Sequence, residues 1–291
     1  MRGLEGGGAQ IIEQINGRLG DAYLPDAEWA ARVELSGSKR HEKLEMELNG
    51  YKTNLIKESI RMGHNDLGDF FFERGDLQNA FKSYVRTRDY CTTSKHIVTM
   101  CLNVIAVSIA LGNYGHVTNY VSKAEQTPEL TDQVVVAKLR AAAGLAALEN
   151  GKYKLAARKL VEVHNDLGGS YCSVVSAQDV ATYGGLCALA SFDRAELKSK
   201  VIDNNMFLQF LELVPEVREL IHDFYASRYA SCLSYLEQLR PTLQLDVHLH
   251  DHWCKLYEQI RHKALIQYCY PFVSVDLAVM ATAFNTSVAG E

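Results

Sequence analysis

A polar turn recurs at nearly even spacing along this chain, and that repeat restricts the possible folds more than any other feature. The polar residues in equivalent turn positions are Asp76, Asn113, Lys152 and Asp193. Successive markers lie 37, 39 and 41 positions apart. A glycine stands immediately before three of them: Gly75, Gly112 and Gly151. Because apolar helical stretches flank each turn, the repeat predicts four pairs of helices that stack to complete a shared core.

Small and large apolar residues alternate where the two helices of a pair should cross. In the first pair these residues are Leu67, Gly68, Phe71, Ala80 and Tyr84. Later pairs carry, in similar places, Gly144, Ala156, Leu160, Gly184 and Gly185. The pattern is similar to the tetratricopeptide repeat (TPR), in which small residues let helices approach and large residues fill the space between them. We therefore expect an all-α, TPR-like helical-repeat solenoid over residues 52–205.

The segments on either side of the repeats read differently. Residues 1–51 predict an N-terminal helical and loop segment, of which residues 1–15 are atypical. Residues 206–270 predict helices outside the repeat pattern. Among them, residues 221–239 indicate one amphipathic helix that Pro241 ends. Residues 248–268 indicate a longer helix that Pro271 ends.

Composition excludes several classes of function. Apolar residues make up 47% of the chain and charged residues 22%, which is typical of a globular protein. The net charge of −5 provides no basic footprint for direct nucleic-acid binding. The apolar runs are too short to cross a membrane. Seven widely spaced cysteines without a C-x-x-C pair predict free thiols rather than disulfides.

The most suggestive chemical motif is His248-Leu249-His250, because an H-x-H sequence is similar to the zinc ligands of deubiquitinase-type metalloproteases. Those enzymes also need a serine and an aspartate further on, where this chain has Glu258 and Arg261. A catalytic zinc requires three protein ligands and an open position. We therefore expect no metal site. An enzyme that uses His248 and His250 remains an alternative hypothesis, and it predicts bound zinc.

No other motif supports catalysis or a cofactor. The Gly6-Gly7-Gly8 run is not a phosphate loop, because no strand precedes it and no Gly-Lys-Ser/Thr follows it. No local signature pairs a cysteine with a histidine. We therefore expect no catalytic residue, no cofactor and no small-molecule substrate.

Four stretches of the chain carry a family resemblance: residues 20–29, 54–84, 86–110 and 255–285. They resemble subunit 1 of the constitutive photomorphogenesis signalosome (the CSN complex), a family of PCI-domain (proteasome–signalosome–initiation factor) proteins. The plant Fusca-type form fits best, and the proteasome-lid paralogue fits these stretches less well.

The resemblance implies a role as a non-catalytic scaffold. The signalosome removes the ubiquitin-like modifier Nedd/Rub from cullins, and its zinc protease is a different subunit. The implied partners are the other PCI-domain subunits, the zinc-protease subunit and cullin–RING ligases, with a location in nucleus and cytoplasm. The alternative is a generic TPR/PCI interaction subunit of the proteasome lid or of a translation initiation complex.

The resemblance also implies how the C-terminal part is organised. Residues 206–270 would be the helical part of a PCI domain, and residues 271–291 would supply only the beginning of its winged helix. Leu277, Met280 and Phe284 would pack inside a completed winged helix. We therefore expect these three side chains to be exposed here and to be candidates for an interface.

Overall fold

The computed structural model describes residues 15–18, 20, 27–128 and 131–284. In these ranges the backbone forms α-helices, short 3-10 and π-helical turns and loops, and it contains no β-strand. The predicted all-α class with helical repeats is therefore confirmed. None of the described helices is long and apolar enough to span a membrane. The chain divides into two compact units, Met1–Glu129 and Leu130–Glu291.

In the first unit, each helix packs against its neighbours in the chain. The helices are α1 (Ala27–Thr53), α2 (Lys57–Glu73), α3 (Leu77–Arg86), α4 (Ser94–Ala110) and α5 (Tyr114–Glu125), with a 3-10 turn (Thr87–Tyr90) after α3. Helices α2 and α3 form the first predicted pair, and α4 and α5 form the second. Helix α1 covers the outer side of α2, which closes the apolar cluster around Leu48, Ile60 and Leu67.

The second unit is organised around one buried helix. Its helices are α6 (Gln133–Glu149), α7 (Tyr153–Val161), α8 (Ala177–Ser191), α9 (Arg194–Leu197), α10 (Asn205–Leu211), α11 (Pro215–Tyr225), α12 (Tyr229–Gln244), α13 (Trp253–Cys269) and α14 (Leu277–Ala283). A π-helical turn (Lys198–Ile202) continues α9. Helix α8 contacts α7, α10, α11 and α13, and most of its residues are buried. It is therefore the centre of this unit's core.

Two local features form the recurring turns: a glycine that ends the first helix and a polar residue that caps the second. Gly75 ends α2 with φ near +79°, a left-handed conformation that glycine adopts without steric cost. Asp76 then accepts a hydrogen bond from the backbone N–H of Asn79 at 3.1 Å, which caps the start of α3. Asn113 and Asp193 cap their following helices in the same way, whereas Lys152 has no acceptor and makes no such bond. The polar markers therefore begin the second helix of each pair.

Glycine sits where the helices of a pair cross most closely. A β-carbon added to Gly68 on α2 would lie 2.5 Å from ring carbons of Tyr84 on α3. A β-carbon added to Gly144 on α6 would lie 2.6 Å from Cγ of Leu160 on α7. Both distances are far below a normal carbon–carbon contact of roughly 3.5–4.0 Å. Any other side chain at Gly68 or Gly144 would therefore require Tyr84 or Leu160, or the helix that carries it, to move.

The remaining repeat residues lie around these crossings. Leu67, Ala80 and Ala156 are buried, and Phe71 is half-buried against the same cluster as Leu67. A β-carbon on Gly185 of α8 would lie 2.6 Å from Cγ1 of Val217 on α11. How much each of these repeat residues contributes to the stability of the fold stays a prediction.

The prediction of one helix over residues 221–239 is wrong. Helix α11 ends at Tyr225 and α12 begins at Tyr229, with Ser227 between them at φ near +62°. The buried carboxylate of Asp223 holds this break, because it accepts hydrogen bonds from the guanidinium of Arg228 at 2.5 and 2.9 Å and from the hydroxyl of Ser231. Burial raises the pKa of Asp223, but the bonds from Ser231 and Arg228 outweigh it and leave the pKa lowered.

Two further helix boundaries also need correction. Pro241 lies inside α12, which continues to Gln244, so the proline does not end that helix. Proline near a C-terminus removes only one backbone hydrogen bond, and an exposed carbonyl can bind water instead. The long helix begins at Trp253 rather than at His248, because residues 245–252 form a series of turns. It ends at Cys269, two residues before Pro271, as predicted.

Parts of the predicted domain organisation fall beyond the described residues. Of the atypical segment 1–15, only Ile15 is described, and the predicted winged-helix segment 271–291 is described as far as Phe284. The boundaries proposed at residues 51, 205 and 270 remain predictions.

The crossing of α2 and α3 can be tested with one pair of glycine substitutions in the same unit. We expect Gly68→Ala to lower the free energy of unfolding by about 1–3 kcal/mol, since the ring of Tyr84 must move. Gly50→Ala serves as the control, because nothing lies within 4 Å of its added β-carbon in α1. That change should be neutral or stabilise by up to about 1 kcal/mol. Urea unfolding followed by circular dichroism measures both, and equal effects would contradict the close crossing.

Candidate functional site

The three histidines of residues 248–252 do not converge on one point. His248 Nδ1 lies 2.5 Å from Oε1 of Glu149, at the end of α6. His252 Nε2 lies 3.8 Å from the other carboxylate oxygen of Glu149. His250 instead lies on the surface, with its Nδ1 2.7 Å from the backbone carbonyl of Gln244. Two of the histidines therefore bind a carboxylate of the third helix pair.

Two tyrosines and an aspartate extend this polar contact. The hydroxyl of Tyr153 lies 3.0 Å from His252 Nδ1. The hydroxyl of Tyr183 donates to Asp246 Oδ2 at 2.9 Å. Asp246 also accepts hydrogen bonds from the backbone N–H groups of His248 and Leu249 at 2.9 and 2.8 Å. These bonds attach the turns of residues 245–252 to α6, α7 and α8, so the local function of the histidines is structural.

The chemistry available in the described ranges is limited. No group of three or more His, Cys, Asp or Glu side chains there could hold a metal ion. All seven cysteines are free thiols. Burial raises the pKa of Cys101 to about 11 and that of Cys232 to about 12. A thiol with so high a pKa is a poor nucleophile at neutral pH.

A half-buried lysine attaches α13 to the centre of the second unit. Lys263 Nζ donates a hydrogen bond at 2.6 Å to the backbone carbonyl of Leu189, near the end of α8. That carbonyl belongs to the last turn of a helix, where carbonyl groups lack helical partners. The Lys263 ammonium also lies 5.0 Å from the ring centre of Phe224. Burial lowers its pKa to about 8.

The end of α13 and the segment after it present an exposed apolar surface. We define this C-terminal apolar surface by six side chains: Ile266, Tyr270, Phe272, Val273, Leu277 and Val279. Tyr270 is 89% exposed and Leu277 is 58% exposed. All six are exposed within residues 266–279, and exposed large apolar side chains commonly mark a site of protein interaction. This surface is the best candidate for a functional site in the second unit.

The expected exposure of three residues at this end holds only for Leu277. Met280 and Phe284 are 6% and 5% exposed. The ring of Phe284 stacks on Tyr229 with centroids 5.4 Å apart, and it meets Tyr268 edge-on. Phe284 therefore attaches the end of α14 to α12 and α13. Met280 is also buried, so only the outer side of α14 can take part in an interface.

Sequence reasoning found the histidine motif but missed what it contacts. Glu149 precedes His248 by 99 residues, and nothing in the local pattern connects them. Tyr270 and Val273 were also missed as surface residues. Their position beside Pro271, where a helix ends, is the signal that could have found them.

The architecture defines a class before any comparison: a protein of stacked helix pairs, of the kind that presents extended surfaces to other proteins. A family model described as 26S proteasome subunit RPN7 matches residues 26–200, and a PCI-domain model matches residues 236–290. The chain belongs to the RPN7 family.

The chain is similar to signalosome subunits from several organisms. It is 62% identical over 281 residues to COP9 signalosome complex subunit 1 of Arabidopsis thaliana, covering 97% of this chain and 64% of the relative. It is 48% identical over 291 residues to subunit 1b of the same complex in Drosophila melanogaster, covering 96% and 55%. The predicted resemblance is therefore confirmed. The chain spans about three fifths of the length of these relatives.

A regulatory subunit of the 26S proteasome is a more distant relative. The chain is 21% identical over 273 residues to 26S proteasome non-ATPase regulatory subunit 6 of Oryza sativa subsp. japonica, covering 93% of this chain and 70% of the relative. The expectation that the lid paralogue fits less well is confirmed.

The half-buried Lys263 gives a prediction about pH. Lys263 should lose its proton near pH 8 in the folded state but near pH 10.5 in the unfolded state. Between these values the unfolded state binds more protons, so this group's contribution to the free energy of unfolding rises with pH. We expect the stability difference between wild type and Lys263→Met to shift in favour of wild type from pH 7 to pH 9.5.

The control for this experiment is Lys255→Met, which changes an exposed lysine on the same helix. Urea unfolding at several pH values measures all three proteins. A difference for Lys263→Met that is flat or of opposite slope would show that the ammonium is not held in a buried site.

Proposed function

We propose that this chain is a non-catalytic scaffold subunit of the signalosome. The observation that carries the proposal is the 62% identity with COP9 signalosome complex subunit 1 of Arabidopsis thaliana over 97% of this chain. The complex regulates cullin–RING ubiquitin ligases by removing Nedd/Rub from cullins, as the family resemblance implies. We propose the same process, and a location in nucleus and cytoplasm, for this chain.

The absence of catalysis in this proposal is supported by how the chain uses its reactive residues. The carboxylate of Glu149 contacts both His248 and His252, and His250 lies apart from them. A zinc protease needs ligands that converge on one open coordination position. The two histidines of the H-x-H motif therefore hold a turn in place and do not form a zinc site.

The proposed contact with other subunits lies at the C-terminal apolar surface. The PCI-domain match at residues 236–290 includes all six of its side chains. Burying a large apolar side chain in an interface contributes about 1.5–3 kcal/mol. We propose that another PCI-domain subunit covers this surface. We also propose contacts with the zinc-protease subunit and with cullin–RING ligases, but we assign no surface of this chain to them.

A subunit of the proteasome, as in the lid alternative, is the second candidate function, because the matching family model is described as 26S proteasome subunit RPN7. The relative from rice is only 21% identical to this chain, against 62% for the Arabidopsis signalosome subunit. The difference favours the signalosome.

The experiment is purification of the whole 291-residue chain from plant extract through an affinity tag, followed by mass spectrometry of the bound proteins. We expect signalosome subunits, and we expect the double variant Tyr270→Asp/Val273→Asp to recover at least about tenfold less of them. The double variant removes the free energy gained by burying two apolar side chains. It also places two carboxylates in the contact, and these must lose their water when the partner binds.

The matched control is Leu245→Asp/Val247→Asp, which places the same charges on two equally exposed apolar residues of the same unit. This variant should recover the signalosome subunits at the wild-type level. Recovery of proteasome lid subunits alone would favour the second function. Cleavage of Nedd/Rub from a cullin by the purified chain would disprove the scaffold proposal.

A further inference from the structure

A groove in the first unit is lined by both apolar and cationic side chains. Helices α1, α2 and α3 enclose a volume of about 450 Å³. This is within the range of roughly 300–1,000 Å³ found for ligand sites. Its apolar part consists of Leu48, Leu67 and Phe71. Polar and charged side chains from the three helices form the rest of its walls.

Three cations line this groove without a counter-ion. Lys52 comes from α1, and Lys82 and Arg86 come from α3. None of them forms an ion pair with any residue in the described part of the chain. The one carboxylate in the lining, that of Glu45, lies 3.6 Å from Nε2 of His41. The groove is therefore positive although the whole chain has a net charge of −5.

Two cations lie on one face of α3. Lys82 and Arg86 stand four residues apart, where like charges repel each other. Arg86 lies in the last turn, where the helix dipole favours a cation. Asn79 and Ser83 lie on the same face and also line the groove. A single stripe of α3 thus offers two cations, an amide and a hydroxyl to whatever occupies the groove.

Two buried polar side chains in the groove lack partners. His64 is 4% exposed and Ser83 is 8% exposed, yet neither side chain forms a hydrogen bond or ion pair within the residues that the structure describes. Burial, and then the charges of Lys52 and Arg86, hold the pKa of His64 at about 4. The imidazole is therefore neutral and can donate one hydrogen bond and accept another.

We propose that this groove binds an acidic peptide segment of a partner protein, with its carboxylates on Lys52, Lys82 and Arg86. The apolar wall of Leu48, Leu67 and Phe71 accepts an aliphatic side chain between the acidic ones. The hydroxyl of Ser83 and the imidazole of His64 pair with polar groups of the same segment. This site lies in the first unit and is independent of the C-terminal apolar surface.

The lining favours a peptide over a phosphate or a nucleic acid. Asn79 donates through Nδ2 to Asp76 at 2.7 Å, which leaves its carbonyl oxygen to accept a backbone N–H. A phosphate group could bind the cations but would leave the apolar wall of Leu48, Leu67 and Phe71 uncovered, whereas a peptide can cover both. Single-stranded nucleic acid stacks its bases on exposed aromatic faces. The only such aromatic here is Phe71, whose ring is already in contact with Phe70 and His41.

The test uses the whole chain and a fluorescein-labelled peptide of alternating glutamate and leucine, measured by fluorescence anisotropy at low and high salt. We expect binding that weakens with salt, because the attraction is screened over a Debye length of about 10 Å at 0.1 M. The double variant Lys82→Gln/Arg86→Gln should bind at least about tenfold more weakly. Binding should also shift the ring resonances of His64 in NMR spectra of wild type.

The matched control is Lys39→Gln/Lys57→Gln, which removes the same charge from exposed lysines of the first unit outside the groove. Its affinity should stay within about twofold of wild type. The proposal is overturned if both double variants lose affinity equally, or if a peptide of alternating glutamine and leucine binds as well. Tighter binding of a single-stranded RNA of equal charge would overturn the assignment to carboxylates.

Discussion

The second unit depends on Leu160, which lies between two glycines on different helices. Its side chain approaches Gly144 of α6 on one side, and its Cβ lies 3.2 Å from the position of a β-carbon on Gly184 of α8. The latter glycine also accommodates the ring of Phe207 on α10, 3.0 Å from the same position. One helix, α7, can therefore contact both neighbours at short range, which increases the dispersion contacts and excludes water from the core. These short contacts fix the position of α8. Because α11 and α13 pack directly against α8, their positions depend on it.

The helix pairs could be predicted from the sequence because the signals that define them are local. Gly75 and Asp76 end one helix and start the next within two residues, and the pair is closed by a glycine and a tyrosine sixteen positions apart, Gly68 and Tyr84. The break at Ser227 was not predictable in the same way. It depends on the contact of Asp223 with Arg228 and Ser231, polar residues that suit a helix surface equally well. Periodicity continues through residues 221–239, so it cannot show where the backbone turns.

The candidate sites were less predictable than the fold, since each depends on residues from several helices. The H-x-H motif is visible in the sequence, but its partner Glu149 lies on another helix, and only the fold brings them together. The groove of the first unit combines Lys52, Lys82 and Arg86, which appear in the sequence as ordinary surface charges. Their missing counter-ions can be recognised only when the neighbouring side chains are placed.

The residues that build the fold and the residues available for function are largely separate in this chain. The helix crossings use glycines, alanines and buried leucines, and those requirements are the same for any protein with this arrangement. A relative with 21% identity, over 93% of this chain, belongs to the proteasome, whereas a relative with 62% identity belongs to the signalosome. If both have this helical arrangement, the difference between their assemblies must come from side chains outside the crossings. The cations of the first unit and the apolar residues around Pro271 are side chains of this kind, because neither set is needed to hold the helices together.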